Sequence, residues 1–224
     1  HIIRLQILQQ EHQRTGAGRV AVGVADVVGF GLRPRHLLAI DLHREHVDFL
    51  AADSHKWLLG PCAAGLFYVR HELQDRLSPS AYGWNNVHCP NYVSQEKMIL
   101  RSDAGRYEAG SFNILGIAGL NAALGLLLDV GIDNIAADLQ TKREWLVSAL
   151  LEKDFVVLCP EPENAGGITS CWRENEDMKV LGDKLMAEGI VASVRGDRAG
   201  RDYLRFSPHF YNTQAELERV MDLL

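Results

Sequence analysis

The chain has 224 residues, 47% of them hydrophobic, with 23 basic against 29 acidic side chains and a formal net charge of −6. That length buries one sizeable core, or a large domain fragment with a smaller domain attached, and the hydrophobic share argues against wholesale disorder. A sequence pI near 5.8 and the lack of any basic run argue against nucleic acid or an anionic membrane as the main partner; a small soluble substrate fits better.

Cys62, Cys89, Cys159 and Cys171 stand far apart, with no C-x-x-C pair and no histidine at metal-ligand spacing. Neither a metal site nor a disulfide framework is expected, and a reducing cytoplasm is the expected compartment. No apolar run reaches the roughly 18–20 residues that span a bilayer, and the opening lacks the charged-then-apolar order of a signal peptide. A chain that opens on His1 reads as a fragment.

In chain order, residues 1–38 give neither a clean helical nor a clean strand period, although the first ten could form a short helix. Val47–Ala51 and Ala63–Val69 are compact apolar runs that read as buried strands, with Lys56 on the loop between them. Ser78–Met98 carries two prolines, several asparagines and three aromatics without periodicity, and reads as a long ordered loop. Asn113–Val130 is a strongly apolar helix expected to be buried and stopped by Gly131; Asp133 is the expected cap of a second helix running to about Lys153.

Strands are then expected at Phe155–Cys159 and Gly167–Trp172, a helix at Asp177–Glu188, strands at Ile190–Val194 and Tyr203–Ser207, and a final helix from Thr213. This β-β-α-β-β-α order describes a small α+β domain beside a larger α/β part. The expected division is residues 1–40 as a segment without a clear pattern, 41–132 as the remainder of the larger domain, and 133–224 as the smaller one.

The chemistry centres on Asp48-Phe49-Leu50-Ala51-Ala52-Asp53-Ser54-His55-Lys56, followed by Trp57-Leu58-Leu59-Gly60-Pro61. A lysine leaving a buried strand among apolar neighbours is expected to be desolvated. Desolvation lowers an amine's pKa and makes it able to attack an aldehyde. His55 beside it can donate to a phosphate. The bland alternative is a lysine snorkelling from a strand end beside a surface histidine.

Two further blocks follow. Arg106-Tyr107-Glu108-Ala109-Gly110-Ser111-Phe112-Asn113 places a hydroxyl and free backbone N–H groups just before a helix, an anion-binding arrangement or an ordinary serine N-cap. Tyr203-Leu204-Arg205-Phe206-Ser207-Pro208-His209-Phe210-Tyr211-Asn212-Thr213 puts Arg205 on a strand, where its planar fork suits a carboxylate or serves as a solvated charge.

Together, and in this order, the three blocks resemble the class V aminotransferases, pyridoxal-phosphate enzymes of fold type I, over residues 41–224. The resemblance implies an α/β fold: the C-terminal part of a PLP-dependent transferase large domain with a smaller α+β C-terminal domain. It implies pyridoxal 5'-phosphate as cofactor, Lys56 as the catalytic Schiff-base lysine forming the internal aldimine, His55 as a cofactor contact, and Arg205 as the ligand of an amino-acid substrate's carboxylate. It also implies a homodimer in which Ser111 reaches the neighbouring subunit's cofactor phosphate. Phe112 stands where the family has proline.

The cofactor ring also needs a carboxylate to keep its nitrogen protonated. At the family spacing ahead of Lys56, the Asp and Gln positions hold Phe30 and Arg33. Either a longer loop brings Asp26 to that role, or residues up to about 38 arise from a shifted reading frame, as Leu32-Arg33-Pro34-Arg35-His36 read one base later as Ser-Gly-Leu-Gly-Thr would suggest.

Three functions follow as expectations. The first is a pyridoxal-phosphate enzyme acting on an amino acid, with transamination, epimerisation, lyase and hydrolase outcomes all open. The second is a truncated, non-catalytic remnant of that fold. A cysteine desulfurase or selenocysteine lyase is disfavoured, because Arg195–Arg201 has no cysteine where those enzymes carry a nucleophile, and Cys159 and Cys171 read as strand core.

Overall fold

The computed structural model describes residues 42–43, 46–89, 93, 95–161 and 166–224. The expectations for residues 1–38, including Asp26, lie outside the described residues. The described chain divides into two compact units, the first ending at Asp129 and the second running Val130–Leu224.

In the first unit β1 (Phe49–Asp53) pairs antiparallel with β2 (Gly65–Val69), in a register that sets Phe49 against Val69 and Asp53 against Gly65. Alternation places Leu50, Ala52 and Tyr68 on one face, where Leu50 joins Leu42 and Val47 in a small core. The sequence leads one to expect fully buried strands. On the opposite face Val69 is buried, but Phe49 and Phe67 stay exposed, and the Phe67 ring meets Tyr107 at a centroid distance of 5.6 Å.

In the long segment before the helix, the turn at residues 81–86 is held by a side chain that satisfies backbone groups. Asn86 is fully buried; its Nδ2 donates to the Ala81 carbonyl at 2.8 Å and its Oδ1 accepts from Gly83 N at 3.0 Å. A Cβ at Gly83 would stand 2.0 Å from the Ala109 carbonyl oxygen, so only glycine fits there.

α1 (Ile114–Val130) forms where the sequence predicts it, but it is not buried as expected. Gly116, Leu120 and Leu127 make up its buried line, while Ile114 and Leu115 are 73% and 87% exposed. A helix that is apolar all round needs neighbours all round, and the described residues cover one side.

The second unit comprises α2 (Ile132–Glu152), β3 (Val156–Val157), β4 (Thr169–Trp172), α3 (Met178–Ala187), β5 (Ser193–Gly196), β6 (Asp202–Phe206) and α4 (Gln214–Leu223). After α2 this is the β-β-α-β-β-α order read from the sequence. The four strands form an antiparallel sheet in the order β3-β4-β6-β5. Its inward residues Val157, Cys171, Leu204 and Phe206 pack with Leu146, Leu150, Leu181, Leu185 and Met221 from the helices.

Asp177 caps α3 by accepting from the backbone of Lys179 and Val180, and Thr213 with Glu216 forms a capping box on α4. Asp133 is not a cap. α2 begins one residue before it, and Gly131, at φ 92°, takes the cap position with its carbonyl accepting from Ile135 N at 3.0 Å. A glycine is favoured at that left-handed conformation. Gly182 serves packing instead: a Cβ there would meet Val194 Cγ2 at 2.7 Å, so α3 lies close on the sheet.

Candidate active site

The loop between β1 and β2 is closed by its own backbone. Ser54 N donates to the Ala64 carbonyl at 3.1 Å, Gly60 N to the Ser54 carbonyl at 2.8 Å, and Leu59 N to the Lys56 carbonyl at 3.1 Å. Ser54 is fully buried, and its hydroxyl donates to the carbonyl of Pro61. Leu58 turns into the interior, whereas His55 and Lys56 are exposed at the surface of the loop. Leu59 and Ala63 hold left-handed φ angles of 54° and 60°, a conformation that non-glycine residues keep only where surrounding contacts enforce it.

The desolvated Lys56 expected from the sequence is therefore not found. Of the apolar residues that follow it, Leu58 is buried and Trp57 half-buried, while Lys56 itself is exposed.

The start of α1 is tied to this loop. Asn113 Nδ2 donates to the Ala63 carbonyl at 3.0 Å, and a Cβ at Gly119 would meet Pro61 Cγ at 2.9 Å. Asn113 is also the helix cap, its Oδ1 accepting from Gly116 N at 3.0 Å. The ordinary serine N-cap considered for Ser111 is thus ruled out: Ser111 lies two residues upstream and is exposed. The lysine loop and the Gly110–Asn113 segment come together within the first unit.

Arg205 belongs to the second unit. On β6 it lies between Leu204 and Phe206, both buried in the core, so its side chain leaves the sheet on the opposite face. It is half-buried, and its Nε is buried without a hydrogen-bond partner.

The chain matches the family model for Aminotransferase class-V over residues 36–220, well beyond half its length. It belongs to the class V aminotransferase family.

Within that family, a probable cysteine desulfurase of Methanothermobacter thermautotrophicus is 27% identical over 92% of this chain and 54% of its own. An uncharacterised aminotransferase of Bacillus subtilis is 29% identical over 83% of this chain and 47% of its own. The chain thus spans about half the length of these curated relatives. The apo structure of a cysteine desulfurase from Thermococcus onnurineus superposes with a TM-score of 0.73 at 24% identity, covering 81% of this chain and 47% of that one. The α/β fold is that of the C-terminal part of the fold type I transferases, as the sequence resemblance implies.

The fold sets two of the thiols apart. Cys159, read from the sequence as strand core, is exposed just beyond β3, because that strand ends at Val157. Cys171 is in the core as expected, and burial pushes its thiol up to about 12. The loop from Arg195 to Arg201 is folded around Asp197, whose carboxylate accepts from Ala199 N, Arg201 N and the Tyr203 hydroxyl at 2.8–2.9 Å.

Sequence reasoning missed Ser54 and Asn113, the residues that fix the lysine loop and its neighbour. Asn113 was detectable, since asparagine is a strong N-cap and stands directly before the helical run. Ser54 was not, because its burial comes from a contact seven residues along the chain.

Proposed function

We propose that the protein acts on an amino acid with pyridoxal 5'-phosphate as cofactor, and that Lys56 is the residue that joins the cofactor. The carrying observation is the family match across Lys56 together with the display of that lysine on a loop fixed by Ser54, Gly60 and Asn113. When bound, the cofactor supplies an electron sink for charge developing at the substrate's Cα.

The described residues fit part of such a cradle. Lys56 and His55 stand exposed on one rigid loop, and Gly110-Ser111 leads into a helix start where a Cβ at Gly110 would meet nothing within 4 Å. That leaves room for an anion to approach backbone N–H groups and the Ser111 hydroxyl. Asp26 is the proposed partner of the ring nitrogen.

In this reading the Lys56 amine moves the proton at the substrate's Cα. His55 donates a hydrogen bond to the cofactor, and Ser111 holds a phosphate, that of a neighbouring copy if the chain is a homodimer. Arg205 orients the substrate by its carboxylate through a bidentate contact; its buried, unpartnered Nε supports that role.

The test is an absorbance spectrum after mixing the protein with pyridoxal phosphate, with Lys56→Ala alongside. A new long-wavelength band in the wild type that is lost in Lys56→Ala is the expected result. A flat spectrum for both overturns the reading.

A second reading is favoured by the exposure of Lys56: a chain in which the lysine is not enclosed and no cofactor is retained. It predicts the flat spectrum. Desulfurase activity, suggested by the relatives' names, predicts sulfide release from cysteine that disappears when one of Cys62, Cys89 or Cys159 is replaced.

A further inference from the structure

The β6 register sets Arg205 directly opposite Ser170 on β4 and directly opposite Ser193 on β5. Directly paired residues in an antiparallel ladder share a face, with Cβ atoms about 4.5–5.5 Å apart. One straight row, Ser170–Arg205–Ser193, therefore crosses three strands on the face turned away from the Leu204 and Phe206 core. The next row on that face is Arg195–Tyr203.

The row has the chemistry of an anion site. Arg205 Nε is buried and unpartnered, a costly state for a charged donor unless a ligand satisfies it. In the next row the Tyr203 hydroxyl donates to the Asp197 carboxylate at 2.9 Å, and Arg195 brings a positive charge that offsets that carboxylate. Serines on both flanks are the smallest side chains that still donate, and they leave the ladder open beside the guanidinium. A carboxylate has about four lone-pair sites. The guanidinium edge takes two, and hydroxyl rotors to either side can donate to the others.

We infer that Ser170 and Ser193 complete the anion site of Arg205, making it a three-residue carboxylate clamp in which the two hydroxyls set affinity and select a planar carboxylate. This rests on the reading of Arg205 as the substrate-carboxylate ligand and adds two specificity-determining residues to it.

The test follows the Nε–Hε resonance of Arg205 in the ¹⁵N-labelled full chain, assigned with Arg205→Lys, during titration with succinate and with the neutral isostere succinamide. The expected result is a saturable shift with succinate and none with succinamide. Ser170→Ala and Ser193→Ala should each weaken succinate roughly tenfold, the loss of one hydrogen bond to a charged group. Ser193→Thr, which keeps the hydroxyl and suits a strand, should restore it.

Two results overturn the inference, and they differ. If Arg205 responds to succinate but both alanine variants bind within about twofold of wild type, the serines have no role and the Arg205 reading stands. If the wild-type Arg205 resonance ignores succinate, the Arg205 reading fails and the clamp fails with it. Unchanged backbone amide spectra of the variants exclude misfolding as the cause.

Discussion

Ser54 and Gly60 close the loop that carries Lys56: the Gly60 N–H donates to the Ser54 carbonyl at 2.8 Å, and a Cβ on Gly60 would stand 2.9 Å from Ser54 Cβ. The two ends of the turn touch with no space for a side chain, so the position of His55 and Lys56 depends on residue 60 having none. Gly60→Val should cost about 1–3 kcal/mol, the usual range for overpacking, read as a lower urea midpoint with unchanged slope. An unchanged midpoint would mean the loop relaxes freely and does not fix Lys56.

Thiol accessibility should divide the four cysteines. Cys171 is fully buried and its thiol is pushed up to about 12 by desolvation, and the thiolate is the reactive form. Brief alkylation of the native protein at pH 8, read by mass spectrometry, should modify the exposed Cys62 and Cys159 and spare Cys171. Labelling of Cys171 at a rate matching Cys159 would contradict the packing described for the four-stranded sheet.

The β5–β6 turn should respond to acid in a defined direction. Hydrogen bonds from the Arg201 backbone N–H, and then from the Tyr203 hydroxyl, hold the Asp197 carboxyl below its ordinary value of 3.8. A depressed carboxylate contributes order that is fully present above the unfolded value and is lost as pH falls through the folded one. The amide resonances of Ala199 and Arg201 should therefore hold steady from neutral pH down to about 4 and move together below it. Asp197→Asn should flatten this titration. A midpoint at or above the ordinary carboxylate value would refute the assigned hydrogen bonds.

Much of this architecture is legible in the sequence because it follows from local rules. The β-β-α-β-β-α order of the second unit comes through periodicity and punctuation, with Asp177 and Thr213 marking their helices by capping chemistry. Lys56 and Arg205 are visible through family blocks. What escapes the sequence is what depends on contacts made at a distance. Leu58 and Lys56 are two residues apart and similar in reach, yet one is buried and the other exposed; nothing local decides between them. The apolar face of α1 promises burial that the described residues do not provide. The flanking of Arg205 by Ser170 and Ser193 depends on strand register, which a single sequence does not reveal.

The assignment of Lys56 as the cofactor lysine is tested most directly by chemical trapping. The protein is incubated with pyridoxal phosphate, reduced with borohydride, digested and mapped by mass spectrometry, with Lys56→Arg as control. The expected result is a pyridoxyl label concentrated on the peptide containing Lys56 and lost in Lys56→Arg. A label spread over the other exposed lysines, such as Lys179 and Lys184, with no preference for Lys56, would contradict it.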